Sequence, residues 1–431
     1  MSGEHFHSCG SFFGCGEEQG HGVLRQDLAD CSYTKRVADR LTHMDEIDRA
    51  TLDGHLTARG HSRRELLRSS AFMGVLAAIG PWFARPAFAA GGGAPPQRVA
   101  DGNGRTHVVE CNDETTKLGI YDTTLAPILK IDSGDVISYR NTWSHFLNQL
   151  EPGVPIEKLA AIRVANPGHG PHSIIGPIWV NDAEPGDVLE IRYQRFEPDG
   201  WAAVFNNPGA LGTGLLPGDF PKGQVKYLDL DVTAMRAEFL PKVHVSLKPF
   251  QGTLGVAPPD GFFPPLRPGV TNSVPPGPDG GNTDLSEMSE GSTMYIPVWK
   301  PGALLFTGDS HALQGDGEIN LSALETRMKE MRIQVVLHKN KNFAWPIAET
   351  STHWIILGLD KDLNLAMTAA ARNAIKFLAT RANMTELDAY ALLSIAGNFR
   401  VTQVVDIVRG VHAMIPKNLF AADFAPQITV V

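Results

Sequence analysis

"GALLFTGDSHALQGDGE", residues 302–318, sets three acids and one histidine among four glycines, directly after an apolar run. "GALLF" reads as a buried strand and "TGDSH" as its end. With the period-two alternation of a strand, Asp309 and His311 point to the same side, roughly 7 Å apart at Cα. A carboxylate and a neutral imidazole so spaced suit two ligands of one metal ion. The turn Gly315-Asp316-Gly317 carries Glu318 back over that face. Taken alone, a D-x-H pair equally describes a core histidine beside a capping aspartate.

Outward from this stretch, strand patterning dominates from Val108 to about Gly358. "GDVLEIRYQRF", "QVKYLDLDV", "TMYIPV", "MRIQVVLHK" and "HWIILGL" alternate between turn signals. "PILKIDSGDVISYR" reads as a hairpin turning at Asp132–Asp135. After Asp360 the period becomes helical. "LNLAMTAAARNAIKFLATRA" spaces apolar residues three and four apart, and "TELDAYALLSIAG" opens with Thr385 and Asp388 in capping-box spacing and closes on Gly397. A strand-like "RVTQVVDIV" follows. The pattern predicts an α+β fold, β-rich, with packed antiparallel sheets in a sandwich-like arrangement and C-terminal helices. Residues 249–281 hold nine prolines and seven glycines, yet also Phe250, Phe262, Phe263 and Leu266. An ordered loop packed over a site is expected there rather than a solvated linker.

The chain has 431 residues, 43% hydrophobic, and a formal charge of -9. That composition supports a sizeable core and argues against nucleic acid as a partner. No Rossmann or P-loop glycine pattern occurs. The first 89 residues stand apart: Arg63-Arg64, an apolar stretch Ala71–Ala84 and the Ala87-Phe88-Ala89 site have the order of a twin-arginine export signal. The expected organisation is an N-terminal extension and signal over 1–89, a flexible Gly/Pro-rich segment over 90–104 and a catalytic domain over 105–431. A start at Met44 accounts for the long lead before the arginines. Cys9, Cys15 and Cys31 precede the cleavage site, which leaves Cys111 alone and excludes an intrachain disulfide after cleavage.

Two further stretches carry chemistry. "GPHSIIGPIWV" sets His172 four residues before a rigid Gly176-Pro177 turn, and "GPDGGNTD" ends in Asp284 after two glycines that let backbone approach a ligand closely. Two rival nucleophiles fit less well. Ser310 faces away from Asp309 and His311 and precedes a turn, where a serine-esterase elbow precedes a helix. Cys111 has no glutamate–lysine pair marking nitrilase-like chemistry.

"HSIIGPIWVNDAEPGDVLEI", "QGTLGVAP", "GGNTD", "GALLFTGDSHALQGDGEINLSALE", "DLNLAMTAAA", "DAYALLSIAG" and "IPKNLF" together resemble the acetamidase/formamidase family across residues 105–420. The resemblance implies hydrolysis of short amides to a carboxylate and ammonia, on a β-rich fold with a bound divalent metal, zinc ahead of calcium or another ion. It carries over Asp309, His311, Gln314, Asp316 and Glu318, with Asn282, Asp284 and His172. Two positions depart from the family pattern: Ser173 stands where proline is usual, and Asn398, in the helical region, where aspartate is common.

On this reading the metal ligands are His172, Asp309, His311 and Asp284. Glu318 is the general base, with Asp316 next in line, and Asn282 steadies the oxyanion. Trp143, Trp201 and the proline-rich loop are placed to shape the pocket. Expected partners are a small amide substrate, a second copy in a homo-oligomer and the Tat export machinery. Stable membrane association after cleavage is not expected, and the location is periplasmic or secreted. The alternatives are hydrolysis of a larger amide or other C–N bond, and a non-catalytic extracytoplasmic binding module.

Overall fold

The computed structural model describes residues 104–207 and 213–431. The signal sequence, the three upstream cysteines and nearly all of the Gly/Pro-rich segment lie outside the described residues. Strand patterning translates into two large sheets. One has nine strands in the order Thr106–Glu110, Val136–Arg140, Met328–His338, Val188–Pro198, Thr293–Pro297, Ile347–Glu349, His353–Asp360, Arg409–Pro416 and Asn398–Gln403. All its pairings are antiparallel except the first, which is parallel.

The second sheet, eleven strands, is built around Leu305–Leu313, the strand that carries the quoted motif. Phe250–Gly255 and Leu324–Thr326 flank it, and Ser173–Val180 also pairs with it. Side chains of both sheets meet in one core. Ile137, Leu189, Ile191, Ile333 and Val335 come from the first sheet, and Ile175, Ile178, Leu254 and Leu305 from the second. Burying apolar faces of two pleated sheets against each other makes the expected sandwich.

Two helices follow. Leu363–Arg381 is capped by Asp362, whose carboxylate accepts from the amides of Asn364 and Leu365 at 2.7 and 3.1 Å. Glu386–Ala396 is capped by Thr385, whose hydroxyl accepts from Asp388 N at 3.1 Å. They cover the far face of the first sheet through Phe377, Leu378 and Leu393 against Trp354, Ile356 and Ile415. No helix of the described residues is long and apolar enough to cross a membrane.

Several local expectations are corrected. Residues 127–140 form no hairpin: Leu129–Ile131 pairs parallel with Ser173–Val180 in one sheet, and Val136–Arg140 lies in the other. The run around Asp132 and Asp135 therefore crosses between layers, where alternation on either side looks the same. The strand in "RVTQVVDIV" stops at Gln403, and 404–408 is loop. Asn398 opens that strand, exposed, rather than closing a helix. Gly176-Pro177 lies within the Ser173–Val180 strand rather than in a turn. The proline-rich segment is partly strand: Phe250 is buried, whereas Phe262 and Leu266 are exposed.

Candidate active site

Leu305–Leu313 carries Asp309 and His311 on one face, as alternation requires, with His311 Nε2 3.0 Å from Asp309 Oδ1. Ser310 points the other way, 3.1 Å from Thr142 Oγ1. Phe250–Gly255 runs antiparallel beside this strand, with Gln251 opposite Ser310 and Thr253 opposite Gly308, so Gly252 faces Asp309. A Cβ on residue 252 would lie 2.4 Å from Asp309 Oδ2 and 2.5 Å from both Asp284 Oδ1 and His311 Cε1. Glycine here keeps open the space among three functional groups.

The other predicted residues arrive from separate segments. His172 precedes the Ser173–Val180 strand and sets Nε2 4.0 Å from Asp309 Oδ2, while its Nδ1 lies 2.8 Å from Ser273 Oγ. That second contact fixes the ring and leaves Nε2 turned inward. Asp284 places Oδ1 3.9 Å from His311 Nδ1. Gly315-Asp316-Gly317 turns as expected, Glu318 N donating to Gly315 O, and Glu318 is buried in the chamber. Asp284, Asp309 and Glu318 all have left-handed backbones, φ 48°, 67° and 45°. Such conformations are uncommon outside glycine and concentrate at functional sites.

Three residues not singled out from the sequence complete the chamber, although Glu325 closes the quoted 302–325 motif. His145 lies in a left-handed bend, with Nε2 3.5 Å from Asp309 Oδ1 and Nδ1 3.7 Å from Glu325 Oε2. Glu325 Oε2 is also 3.1 Å from His311 Nε2. Asp406 enters from the 404–408 loop. The unexpected Ser173 helps hold His145 in place: its hydroxyl accepts from Leu147 N at 3.0 Å and donates to Ser144 O.

Two predicted residues do something else. Asn282 spends both amide hydrogens on carboxylates, donating to Asp284 Oδ2 at 2.8 Å and Asp406 Oδ2 at 3.0 Å, and its oxygen accepts from Thr253. No donor is left for an oxyanion. Asp316 is exposed and ion-paired to Arg400, which also binds Glu287. It belongs to a second acid–histidine group, with Glu287 and His412, outside the chamber. Trp143 and Trp201 do not line the cavity. Cys111 packs against the main core, and burial pushes its thiol up to about 11.

Crowding of buried carboxyls sets the electrostatics. Burial lowers His172 to about 3 despite Asp309, so the imidazole is neutral. Burial would also raise Asp309 and lower His311, but each one's attraction for the other, with Glu325 beside His311, reverses both shifts. Burial and then neighbouring carboxyls raise Asp284 to about 7 and hold Glu318 and Asp406 well above the usual range. The cavity has a volume of about 180 Å³.

A two-sheet sandwich carrying a buried acid–histidine chamber beside the motif strand is the class of protein these features define. Residues 161–264 and 268–422 match the model of the Acetamidase/Formamidase family, and the chain belongs to that family. It is thereby an amidase acting on linear amides. The chain is 26% identical over 322 residues to the formamidase of Methylophilus methylotrophus, covering 59% of this chain and 79% of that protein. An acetamidase crystal structure from Bacillus halodurans superposes with a TM-score of 0.64 at 27% identity, covering 75% of this chain and 100% of that one. An acetamidase from Yersinia enterocolitica gives 0.65 at 28% identity, covering 74% and 94%. His145 lies ahead of the residues the family model matches.

Proposed function

We propose that the protein hydrolyses short aliphatic amides to a carboxylate and ammonia, with a divalent cation, zinc first, held in the chamber. The observation that carries this reading is the convergence of buried, unspent donor atoms. Asp284 Oδ1, His311 Nδ1 and Glu318 Oε2 are all buried without a hydrogen-bond partner among the described residues. Such atoms are costly unless something else occupies them. The space that a Cβ at residue 252 would fill lies among the same groups.

His145, His172 and Asp309 each offer one donor atom within 4.8 Å of the others. Two imidazoles and one carboxylate form a zinc-type set with an open position. These three residues would hold the cation, with His311 and Asp284 beside it. Bound there, it would lower the pKa of a water, polarise the amide carbonyl and offset the burial and carboxyl crowding that raise Glu318.

The chain's own residues do the rest. Glu318, with its bare Oε2, takes a proton from the attacking water. The water oxygen bonds to the carbonyl carbon, the C–N bond breaks, and Glu318 returns the proton to the departing nitrogen. Asn282 aligns Asp284 and Asp406 by donating to both. The small cavity favours short substrates, since pockets for drug-sized ligands run to roughly 300–1,000 Å³.

The test is ammonia release from formamide, acetamide and propionamide, before and after chelation, with elemental analysis on the same preparation. Full turnover by metal-free protein would refute the metal. Binding of amides without ammonia release would instead favour a non-catalytic module. We also propose twin-arginine export, on the order of residues 63–89 alone. Arg63→Lys with Arg64→Lys should leave unprocessed protein in the cytoplasm, and normal processing would overturn it.

A further inference from the structure

The mouth of the chamber differs chemically from its floor. Asp309, His311 and Glu325 are at most 3% exposed, whereas Arg163, Thr213 and Asn272 are half-buried and Ile407 is 59% exposed. Arg163, from the helix Ile156–Ala165, is the cation in this wall. Its Nη1 donates to the backbone carbonyl of His169, and it forms no ion pair among the described residues. Burial without a counter-charge lowers its pKa. Most of its hydrogen-bonding fork is unspent, and a partly desolvated guanidinium without an anion is costly.

A second, independent group points into the same space. Asn207 is 4% exposed and lines the chamber, and its Oδ1 is buried without a hydrogen-bond partner among the described residues. Among the described residues its Nδ2 reaches only Thr213 Oγ1, at 3.4 Å. Besides the floor carboxyls, the described lining thus offers an unsatisfied cation and an unsatisfied neutral acceptor. A ligand matching both carries an anion and an N–H donor, and a cavity of about 180 Å³ admits only a small one. In the monoamide of a short dicarboxylic acid, the carboxylate is the only anion and the amide NH₂ the only donor.

We propose that Arg163 makes this amidase selective for short amides whose far end bears a carboxylate, with Asn207 Oδ1 accepting from the amide N–H. The inference rests on the amide-hydrolysis reading above. The guanidinium fork matches a carboxylate bidentately, an arrangement lysine or a neutral side chain cannot reproduce.

Malonamate and malonamide test this directly, since they differ only by a carboxylate in place of the second amide. In the metal-loaded enzyme, kcat/KM for malonamate should exceed that for malonamide by about tenfold or more, after allowing for the two equivalent bonds of malonamide. The ratio should fall toward one in Arg163→Gln and be partly retained in Arg163→Lys. A wild-type ratio near one, or equal losses on both substrates in Arg163→Gln, overturns the proposal. Turnover of acetamide and malonamide without a gain for malonamate overturns this inference alone. Turnover of none of the three overturns amide hydrolysis with it.

Discussion

Replacing Gly252 by alanine adds one methyl group at the point where the chamber is tightest. The new Cβ would stand 2.4–2.5 Å from Asp309 Oδ2, Asp284 Oδ1 and His311 Cε1, where ordinary contact begins at 3.4 Å. Three groups must each give way by about 1 Å, a displacement that costs on the order of 10²-fold in a positioned site. In barrier terms that is about 3 kcal/mol. The backbone is not the obstacle, because Gly252 lies within the Phe250–Gly255 strand and its φ is outside the left-handed region.

Overpacking should therefore cost the fold only about 1–3 kcal/mol. We expect Gly252→Ala to remain folded while kcat/KM on acetamide falls about 100-fold and metal content drops. Activity, metal stoichiometry and thermal melting are read on one preparation. Gly200→Ala serves as control, since a Cβ there meets nothing within 4 Å. Activity within about threefold of wild type, with full metal content, would refute the view that residue 252 is the floor of the site.

Asp279 is 1% exposed, and burial raises its carboxyl from 3.8 to about 7. The folded state thus keeps a proton that the unfolded state releases, so stability falls as pH rises between those values. At roughly 1.4 kcal/mol per pH unit the loss reaches about 4 kcal/mol. Asp279→Asn should be more stable than wild type at pH 8 and equal to it at pH 4 in urea denaturation, and a pH-independent difference would contradict this. Glu318→Gln should keep its fold and metal while kcat drops by about 10² to 10⁴, and near-normal turnover would remove Glu318 as proton carrier. Asp316→Asn, at an exposed ion pair with Arg400, should cost under about 1 kcal/mol of stability and leave turnover near wild type. A loss matching that of Glu318→Gln would return Asp316 to the mechanism.

Alternation and helical period are local properties, and they located most of the strands and both C-terminal helices. The same locality made Asp309, His311 and Glu318 legible, since one strand and one glycine turn bring all three together. Their neighbours were not legible for a physical reason: a residue's periodicity reports which face of its own element is buried, not what lies opposite. His145 sits in a left-handed bend with no period at all, and Glu325 and Asp406 reach the chamber through strand pairing and the end of the Asn398–Gln403 strand.

Motif membership likewise placed Asn282 and Asp316 in the chemistry. Only the fold shows the first spending its hydrogens on Asp284 and Asp406, and the second held outside by Arg400. The sequence by itself determined most of the elements, the family and the strand that carries the motif. The tertiary structure decided which carboxyls share one cavity, because mutual burial, and the unspent atoms it creates, exist only after the sheets have closed on each other.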